Sequence, residues 1–227
     1  MPLDPLSFPD AHILGNRAMA LAMLDAIICP EREYRYFHFD AERSDGARLG
    51  AMRNGDGDHW LLHLSENGAL LKGYVQHLAR GEARAMAREV RRRVPFEFDA
   101  ALHDPALLMD TVSYCYWQRP SETGWRRIAH PEPDLAHCSD GSADYLSILL
   151  APADAYYDYA TDYFECAPSL ASIEHIYAHA PLTAAIVNSL NARLSLEDAQ
   201  AAAAAIGYPQ VAQRQPGLLN IYSAACR

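Results

Sequence analysis

Three kinds of catalytic motif are absent from this sequence. Its 227 residues contain no G-x-S-x-G nucleophile elbow, no Walker A phosphate loop and no G-x-G-x-x-G dinucleotide loop. Each of these motifs fixes a chemistry through residue spacing. Their absence lowers the weight of an enzymatic function without excluding one, so the prediction leans away from an enzyme.

Paired cysteines are also lacking. The five cysteines are odd in number and widely spaced, with no C-x-x-C pair: Cys29, Cys115, Cys138, Cys166 and Cys226. A disulfide framework or a structural zinc site needs closer and more regular spacing. The pattern therefore predicts reduced thiols and a cytoplasmic protein.

Basic residues are in the minority, because 19 Lys and Arg stand against 29 Asp and Glu, for a formal net charge of -10. This balance argues against binding to nucleic acid or to an anionic membrane surface, and it favours a basic partner. The apolar run Ala18 to Cys29 contains Asp25 and is shorter than the roughly 20 residues of a membrane span. We interpret it as a buried helix.

The chain also has no internal repeat and no low-complexity linker. Half of its residues are apolar, which is ordinary for a soluble globular protein, and 227 residues are enough to bury a core without disulfides or metals. We predict a single α+β domain over residues 1–227, with a β-rich portion at about 30–150 and a helical portion at about 151–227.

The stretch from Glu31 to Val75 predicts an antiparallel β-meander, because short aromatic and branched runs alternate with Gly, Asn and Asp. The predicted strands are Tyr34 to Phe39, Ala47 to Arg53, His59 to Leu64 and Ala69 to Val75. Asn67-Gly68 is a hairpin turn signal. Aromatic residues on both faces of the first strand predict a central position in the sheet.

Helices are expected on both sides of the meander. Asp10 is the predicted N-cap of a helix that runs to Cys29 and ends before Pro30, and a second, arginine-rich helix is expected over Gln76 to Arg93. Further strands are predicted at Met109 to Trp117, Trp125 to Ala129 and Tyr145 to Leu150, with a surface loop over His130 to Ser142.

The C-terminal portion carries consistent helix start and stop signals. Pro152, Ser169 or Ser172, Pro181 and Ser195 begin predicted helices, and Gly207 fits as the C-cap of the last one.

Two loops carry residues that can bind a metal. Asp56 and Asp58 lie in a Gly-rich turn and can hold Ca²⁺ or Mg²⁺, but no acidic ligand follows at the EF-hand spacing, and a plain turn is favoured. His130, Asp134, His137 and Cys138 offer zinc ligands, but their spacing matches no structural zinc pattern, and a solvated loop is favoured. No cofactor is predicted.

Two further groups are candidates for binding or catalysis. Arg80, Arg84 and Arg88 form a stripe at i, i+4 that suits an anion or an acidic partner, although a solvated helix face is the favoured interpretation. The stripe Tyr156, Tyr159 and Tyr163 favours core packing over a recognition surface. Cys115 lies in an apolar strand pattern, which is typical of an inert buried thiol rather than a nucleophile.

Several stretches together carry a resemblance: YRYFHF, the run A-x-M-R-N-G-D-G-D that ends at Asp58, Lys72-Gly73-Tyr74, Ser189-Leu190-Asn191, and Ile206-Gly207-Tyr208-Pro209. On these the chain resembles a family of uncharacterised soluble bacterial proteins over most of its length. The resemblance implies a bacterial origin. It implies no established activity and no site residues.

The leading functional prediction is a cytoplasmic protein that acts by contact with another protein, of the immunity or toxin-neutralising kind. Two rivals stay open. One is a small metal-dependent or cysteine hydrolase-like enzyme that uses the His130 to Cys138 loop or the Asp56 and Asp58 turn. The other is a small-ligand binding module between sheet and helices. The sequence leaves the oligomeric state open.

Overall fold

A computed structural model describes residues 1–79, 82–132 and 134–210. The sheet it contains is antiparallel throughout, with six strands whose spatial order follows the chain. The strands are β1 (Phe37–Asp40), β2 (Arg48–Arg53), β3 (His59–Ser65), β4 (Gly68–Tyr74), β5 (Tyr114–Gln118) and β6 (Arg126–Arg127). The protein is therefore an α+β fold built on a β-meander, as predicted.

Strands β2 to β4 confirm the predicted elements to within a residue at each end, and Gly68 begins β4 directly after the predicted hairpin turn. The predicted position of the first strand is wrong, because β1 lies at an edge of the sheet and starts only at Phe37. The aromatic residue just before β1 is covered by a helix, because the ring centroid of Tyr36 lies 4.3 Å from that of Tyr163.

Helices make up most of the remaining structure. Before the sheet lies α1 (Ala11–Ile28), and between β4 and β5 lie α2 (Gln76–Ala79), α3 (Ala83–Arg93) and α4 (Asp99–His103). After the sheet come α5 (Ser142–Tyr145), α6 (Ser147–Leu150), α7 (Asp154–Tyr163), α8 (Leu170–Tyr177), α9 (Ala184–Leu190) and α10 (Leu196–Ile206).

Helix α1 is the core helix of the fold. It begins at its predicted cap, Asp10, and its residues are buried almost without interruption from Leu14 to Ile27. One side packs on β1 to β3 and the other on the C-terminal helices. By length and composition alone α1 is apolar enough to cross a membrane, but 67% of it is buried inside the protein. This is the packing expected of a core helix in a soluble protein.

The opposite face of the sheet carries a second, smaller core. Met86 and Val90 of α3 and Leu102 of α4 pack against the sheet side chains Leu61 and Leu70. The arginine-rich segment does not form the single predicted helix, since Glu82 is a turn residue between α2 and α3.

The predicted strand Tyr145 to Leu150 is wrong, because this segment is helical and belongs to α5 and α6. Leu146 and Leu149, three residues apart, both point into the core of the α1 face. A short apolar run fits either structure by sequence, and here the helical spacing of those leucines places both against the core. The strand predicted from Met109 begins only at Tyr114, and its hairpin partner is reduced to two residues.

The capping signals at Ser169, Ser195 and Gly207 are confirmed, whereas α7 begins at Asp154, after the predicted start at Pro152. Ser169 and Ser195 accept hydrogen bonds from the backbone N–H groups of Ser172 and Asp198. Gly207 ends α10 in the left-handed region, at φ 77°. Thr183 rather than Pro181 caps α9, so that helix begins later than predicted.

Candidate functional site

Four tyrosines near the end of α7 and the start of β1 are here called the tyrosine surface: Tyr34, Tyr36, Tyr159 and Tyr163. Tyr159 and Tyr163 stack at 5.5 Å between ring centroids, one turn apart on α7. The Tyr163 hydroxyl donates a hydrogen bond of 3.1 Å to the backbone carbonyl of Tyr34. Tyr34 is 61% exposed and Tyr163 is 38% exposed. The ring contact holds Tyr159 and Tyr163 against each other, whereas Tyr34 is joined to them through its backbone carbonyl and its ring is exposed.

Carboxylates border the tyrosine surface. Asp158 and Asp162 line the same shallow depression as Tyr159 and Tyr163, together with Ile148 of α6. Burial raises the pKa of Tyr36, and the negative charge of Asp56 raises it further. Asp158 and Asp162 are here called the acidic rim.

The predicted tyrosine stripe divides into two parts. Tyr156 is fully buried in the α1 core, as favoured from the sequence, whereas Tyr163 at the other end is partly exposed. The spacing of the tyrosines is the same along the whole helix, so the sequence alone does not show at which residue the stripe passes from the core to the surface.

A buried carboxylate supports the tyrosine surface from below. Asp25 of α1 accepts hydrogen bonds from the backbone N–H groups of Tyr36 and Phe37, each of 2.9 Å, and from the Tyr156 hydroxyl, of 2.8 Å. Burial raises the pKa of Asp25 to about 7, against the lowering effect of these hydrogen bonds. This residue, here called the Asp25 clasp, joins α1, β1 and α7. Its sequence signal was an isolated acid in an apolar run.

The Gly-rich turn at Asn54 to Asp58 uses its polar groups internally. Asp58 accepts hydrogen bonds from the Gln76 backbone N–H at 2.7 Å, from the Asn54 amide at 2.9 Å and from the Tyr145 hydroxyl. Burial acts to raise the pKa of Asp58, but these hydrogen bonds outweigh it and the pKa is lowered. Asp58 therefore ties the turn to α2 and α5, while Asp56 is exposed.

A buried lysine that the sequence analysis missed lies on β4. The Lys72 ammonium donates to the carbonyls of Leu108 at 3.0 Å and Thr111 at 2.9 Å, and to the His59 ring at 3.0 Å. Burial lowers the pKa of Lys72 to about 7 and that of His59 to about 4. Leu108 has a positive φ of 49°, so Lys72 holds a strained loop against the sheet. A lone lysine in an apolar strand pattern was the available signal.

The predicted zinc ligands of the long loop separate in the structure. His130 and Cys138 line a cleft beside α3, whereas Asp134 and His137 are exposed. Among the described residues no group of three or more His, Cys, Asp and Glu side chains is placed to hold one metal ion. The described residues therefore assemble no set of metal ligands, either in this loop or at Asp56 and Asp58.

The arginine stripe is described only in part, because Arg80 lies outside the described residues. Arg84 and Arg88 are exposed on α3. The nearby acid Glu89 pairs instead with Arg92 and Arg93, at 2.8 and 3.4 Å. Cys115 is fully buried, and burial raises the pKa of its thiol to about 12, which matches the inert thiol favoured from the sequence.

Comparisons with protein-family models, with curated proteins and with solved structures found no match to this chain. The resemblance to a family of soluble bacterial proteins therefore stays a prediction. The class of protein is defined here by its fold and surfaces: an α+β meander protein with an aromatic, acid-bordered face.

Proposed function

We propose that this protein acts by binding another protein, and that the tyrosine surface contacts a basic segment of that partner. The single observation that carries the proposal is that the partly exposed ring of Tyr163, packed against other tyrosines, shares a depression with the acidic rim. Bacterial origin, the cytoplasm as the place of action and a toxin as the partner belong to the same proposal. The described cysteines are all free thiols, which suits that compartment.

Tyrosine is suited to this role on physical grounds. A tyrosine ring offers a large contact area with few rotatable bonds and a hydroxyl that tolerates water, and it is enriched at interfaces and at their energetic hot spots. Tyr36, Tyr159 and Tyr163 contact one another, so little side-chain freedom is left to lose on binding.

The acidic rim selects the sign of the partner. Asp158 and Asp162 are both exposed. A partner Lys or Arg can pair with these carboxylates while its side chain lies over a tyrosine face, where cation–π attraction adds to the ion pair. The net charge of -10 attracts such a partner from a distance.

The test is native mass spectrometry of the protein gently isolated from its own cells, followed by binding measurements with the partner it identifies. We expect added mass that matches another protein. Tyr34→Ala, and separately the double change Asp158→Arg with Asp162→Arg, should each weaken binding at least tenfold, about 1.4 kcal/mol or more.

Phe96→Ala is the matched control. Phe96 is an exposed aromatic residue, 85% exposed, on the side of the sheet covered by α3 and α4. It should leave binding unchanged. Retention of the partner by the charge-reversed variant, or equal loss with Phe96→Ala, would show that the tyrosine surface is not the contact. An isolated protein that turns over a substrate unaided would contradict the binding function itself.

A further inference from the structure

A depression at the β1 and β2 end of the sheet is rich in arginine, although acidic residues predominate in the chain as a whole. It has a volume of about 620 Å³, which is within the usual size of a small-ligand site. Leu49 and Ala51 of β2 supply apolar lining, and the charged or titratable residues around them are Arg32, Glu33, Arg35, His38, Asp40 and Arg53. We call it the arginine depression.

The backbone brings three arginines to His38. Nε2 of His38 donates a 3.2 Å hydrogen bond to the carbonyl of Arg35, and the Arg35 N–H donates to the carbonyl of Arg32 at 3.3 Å. The register of β1 and β2 pairs His38 with Ala51. Arg53, two residues further along β2, is therefore a diagonal neighbour of His38 on the same face, about 7–8 Å away. The arginines thus reach one place from two separate segments.

Two of these arginines have no acidic partner. Arg32 and Arg53 are exposed, and neither forms an ion pair with any described residue. The arginines Arg91–Arg93 at the end of α3, in contrast, each pair with a carboxylate. The charges of Arg32 and Arg53 are therefore available to a ligand from solvent.

Arg35 is held differently. Its Nε donates a 2.7 Å hydrogen bond to the carbonyl of Cys29, and the carboxylates of Asp25 and Glu31 partly offset its charge. It therefore fixes the chain before β1 in position more than it offers a free charge.

The electrostatic environment at His38 shows which sign of charge prevails. Burial lowers the pKa of His38, and the charges of Arg32, Arg53 and Arg35 lower it further. The charges that act most strongly on this ring are thus all positive, although Glu33 and Asp40 line the same depression. An anion is favoured at such a place and a cation is disfavoured.

Guanidinium groups bind phosphate oxygens through paired N–H donors, and two unpaired guanidinium groups match the charge of a phosphate dianion. Because the environment is positive, a doubly charged phosphate gains more than a singly charged carboxylate. We propose that the arginine depression binds a phosphate group, with Arg32 and Arg53 contacting its oxygens. The volume leaves room for an organic group attached to the phosphate.

The test is NMR titration of the full-length protein with inorganic phosphate and with phenyl phosphate at constant ionic strength. The Nε–H groups of Arg32 and Arg53 and the ring of His38 should show saturable shifts. Acetate, which carries one charge, should bind about tenfold more weakly or less. Tighter binding of phenyl phosphate would assign an organic phosphate ester, and equal affinity would assign the phosphate ion itself.

His38 gives a second readout. A bound dianion opposes the positive charge of the arginines, so the pKa of His38 should rise on binding. Sulfate is the probe for this measurement, because it stays doubly charged over the whole range in which histidine titrates. The ring resonances of His103, exposed on α4, should not respond to sulfate.

Exposed positions supply the variants. Arg32→Gln and Arg53→Gln should each weaken phosphate binding about tenfold, since each removes a charged donor. Glu33→Gln removes a repelling charge and should tighten binding. Arg84→Gln is the matched control, because it removes an exposed arginine of α3 and should bind phosphate as the wild type does.

Absence of saturable shifts in the wild-type protein would overturn the proposal, and so would an equal loss of binding in Arg84→Gln. Acetate affinity equal to that of phosphate would overturn the assigned chemistry. Should a variant fail to fold, the wild-type titrations and the sulfate response of His38 still decide the matter. The arginine depression shares no residue with the tyrosine surface, so none of these outcomes bears on the partner experiment above.

Discussion

Asp25 shows how one residue can organise three elements. Its carboxylate lies in the most buried helix, and its contact with Tyr156 joins residues 131 positions apart. An unpaired buried carboxylate would be severely destabilising, but three donors satisfy this one. Burial still outweighs the donors, so the pKa is raised to about 7 and the group is only partly ionised at neutral pH.

The Asp25 clasp predicts a pH-dependent stability. The pKa is 3.8 in the unfolded chain and about 7 in the folded protein, so folding binds a proton between these values. The stability contributed by this group is fully present below about pH 4 and is lost as the pH rises through 7. Asp25→Asn cannot ionise. Its free energy of unfolding relative to wild type should therefore rise by roughly 1–3 kcal/mol between pH 5 and pH 8.

Urea unfolding of both proteins at the two pH values provides the measurement. Asp25→Ala is the control, because it leaves the donors of Tyr36, Phe37 and Tyr156 unpaired and should destabilise at both pH values by about 2–4 kcal/mol. A difference between Asp25→Asn and wild type that stays constant with pH would mean that Asp25 does not titrate in this range.

Among the helices and strands, the contact of α1 with the sheet depends on close approach. A Cβ atom added to Gly50 of β2 would lie 2.9 Å from the Cβ of Ala18 on α1. A Cβ atom added to Gly15 of α1 would lie 2.7 Å from the Cδ1 of Leu64, which is the far end of a flexible side chain. A methyl group at residue 50 would therefore press on the first side-chain atom of α1, whereas one at residue 15 would press only on a side chain that can rotate.

This difference predicts opposite results for the same substitution. Gly50→Ala should destabilise the protein by about 1–3 kcal/mol, because neither backbone can move away easily. Gly15→Ala should stay within about 1 kcal/mol of wild type, since Leu64 can rotate and alanine favours the helix. Thermal unfolding compares the two variants. Adding Ala18→Gly to Gly50→Ala should recover part of the loss, and equal effects of the two single changes would contradict this packing.

Short elements are where sequence patterns failed. The segment from Tyr145 to Leu150 is helical rather than extended, and β1 is an edge strand although both of its faces carry aromatic residues. In both cases the partner that covers the apolar side chains comes from a distant part of the chain. A run of four to six residues carries too few positions to distinguish a period of 3.6 from a period of 2.

For the molecule as a whole, charge and surface act together. With a net charge of -10, long-range attraction should speed encounter with a basic partner, whereas the tyrosine rings should set how long the complex lasts. Salt shortens the range of the electrostatic attraction and leaves the contacts made by the tyrosine rings largely unchanged.

We therefore expect the association rate constant with the identified partner to fall at least tenfold between low and high salt, with a much smaller change in the dissociation rate constant. Stopped-flow fluorescence measures both. The variant with Asp158→Arg and Asp162→Arg should show a weaker salt dependence, while Tyr34→Ala should mainly raise the dissociation rate constant. An association rate constant that does not change with salt would remove the electrostatic part of the proposal.

The sequence by itself determined the features that depend on neighbouring residues. Asp10, Ser195 and Gly207 mark helix ends through side-chain caps and a left-handed backbone, and Gly68 marks the hairpin between β3 and β4. These signals act over a few residues, so they are present in the sequence before any packing occurs.

Only the tertiary structure decided the rest. The Asp25 clasp, the Lys72 contacts and the cleft at His130 join side chains from separate elements, and the tyrosine surface depends on where α7 leaves the core. Whether a tyrosine is buried or a carboxylate is paired depends on the element that packs above it. Burial and pairing are decided by how whole helices and strands pack against one another, and a short stretch of sequence does not specify that packing.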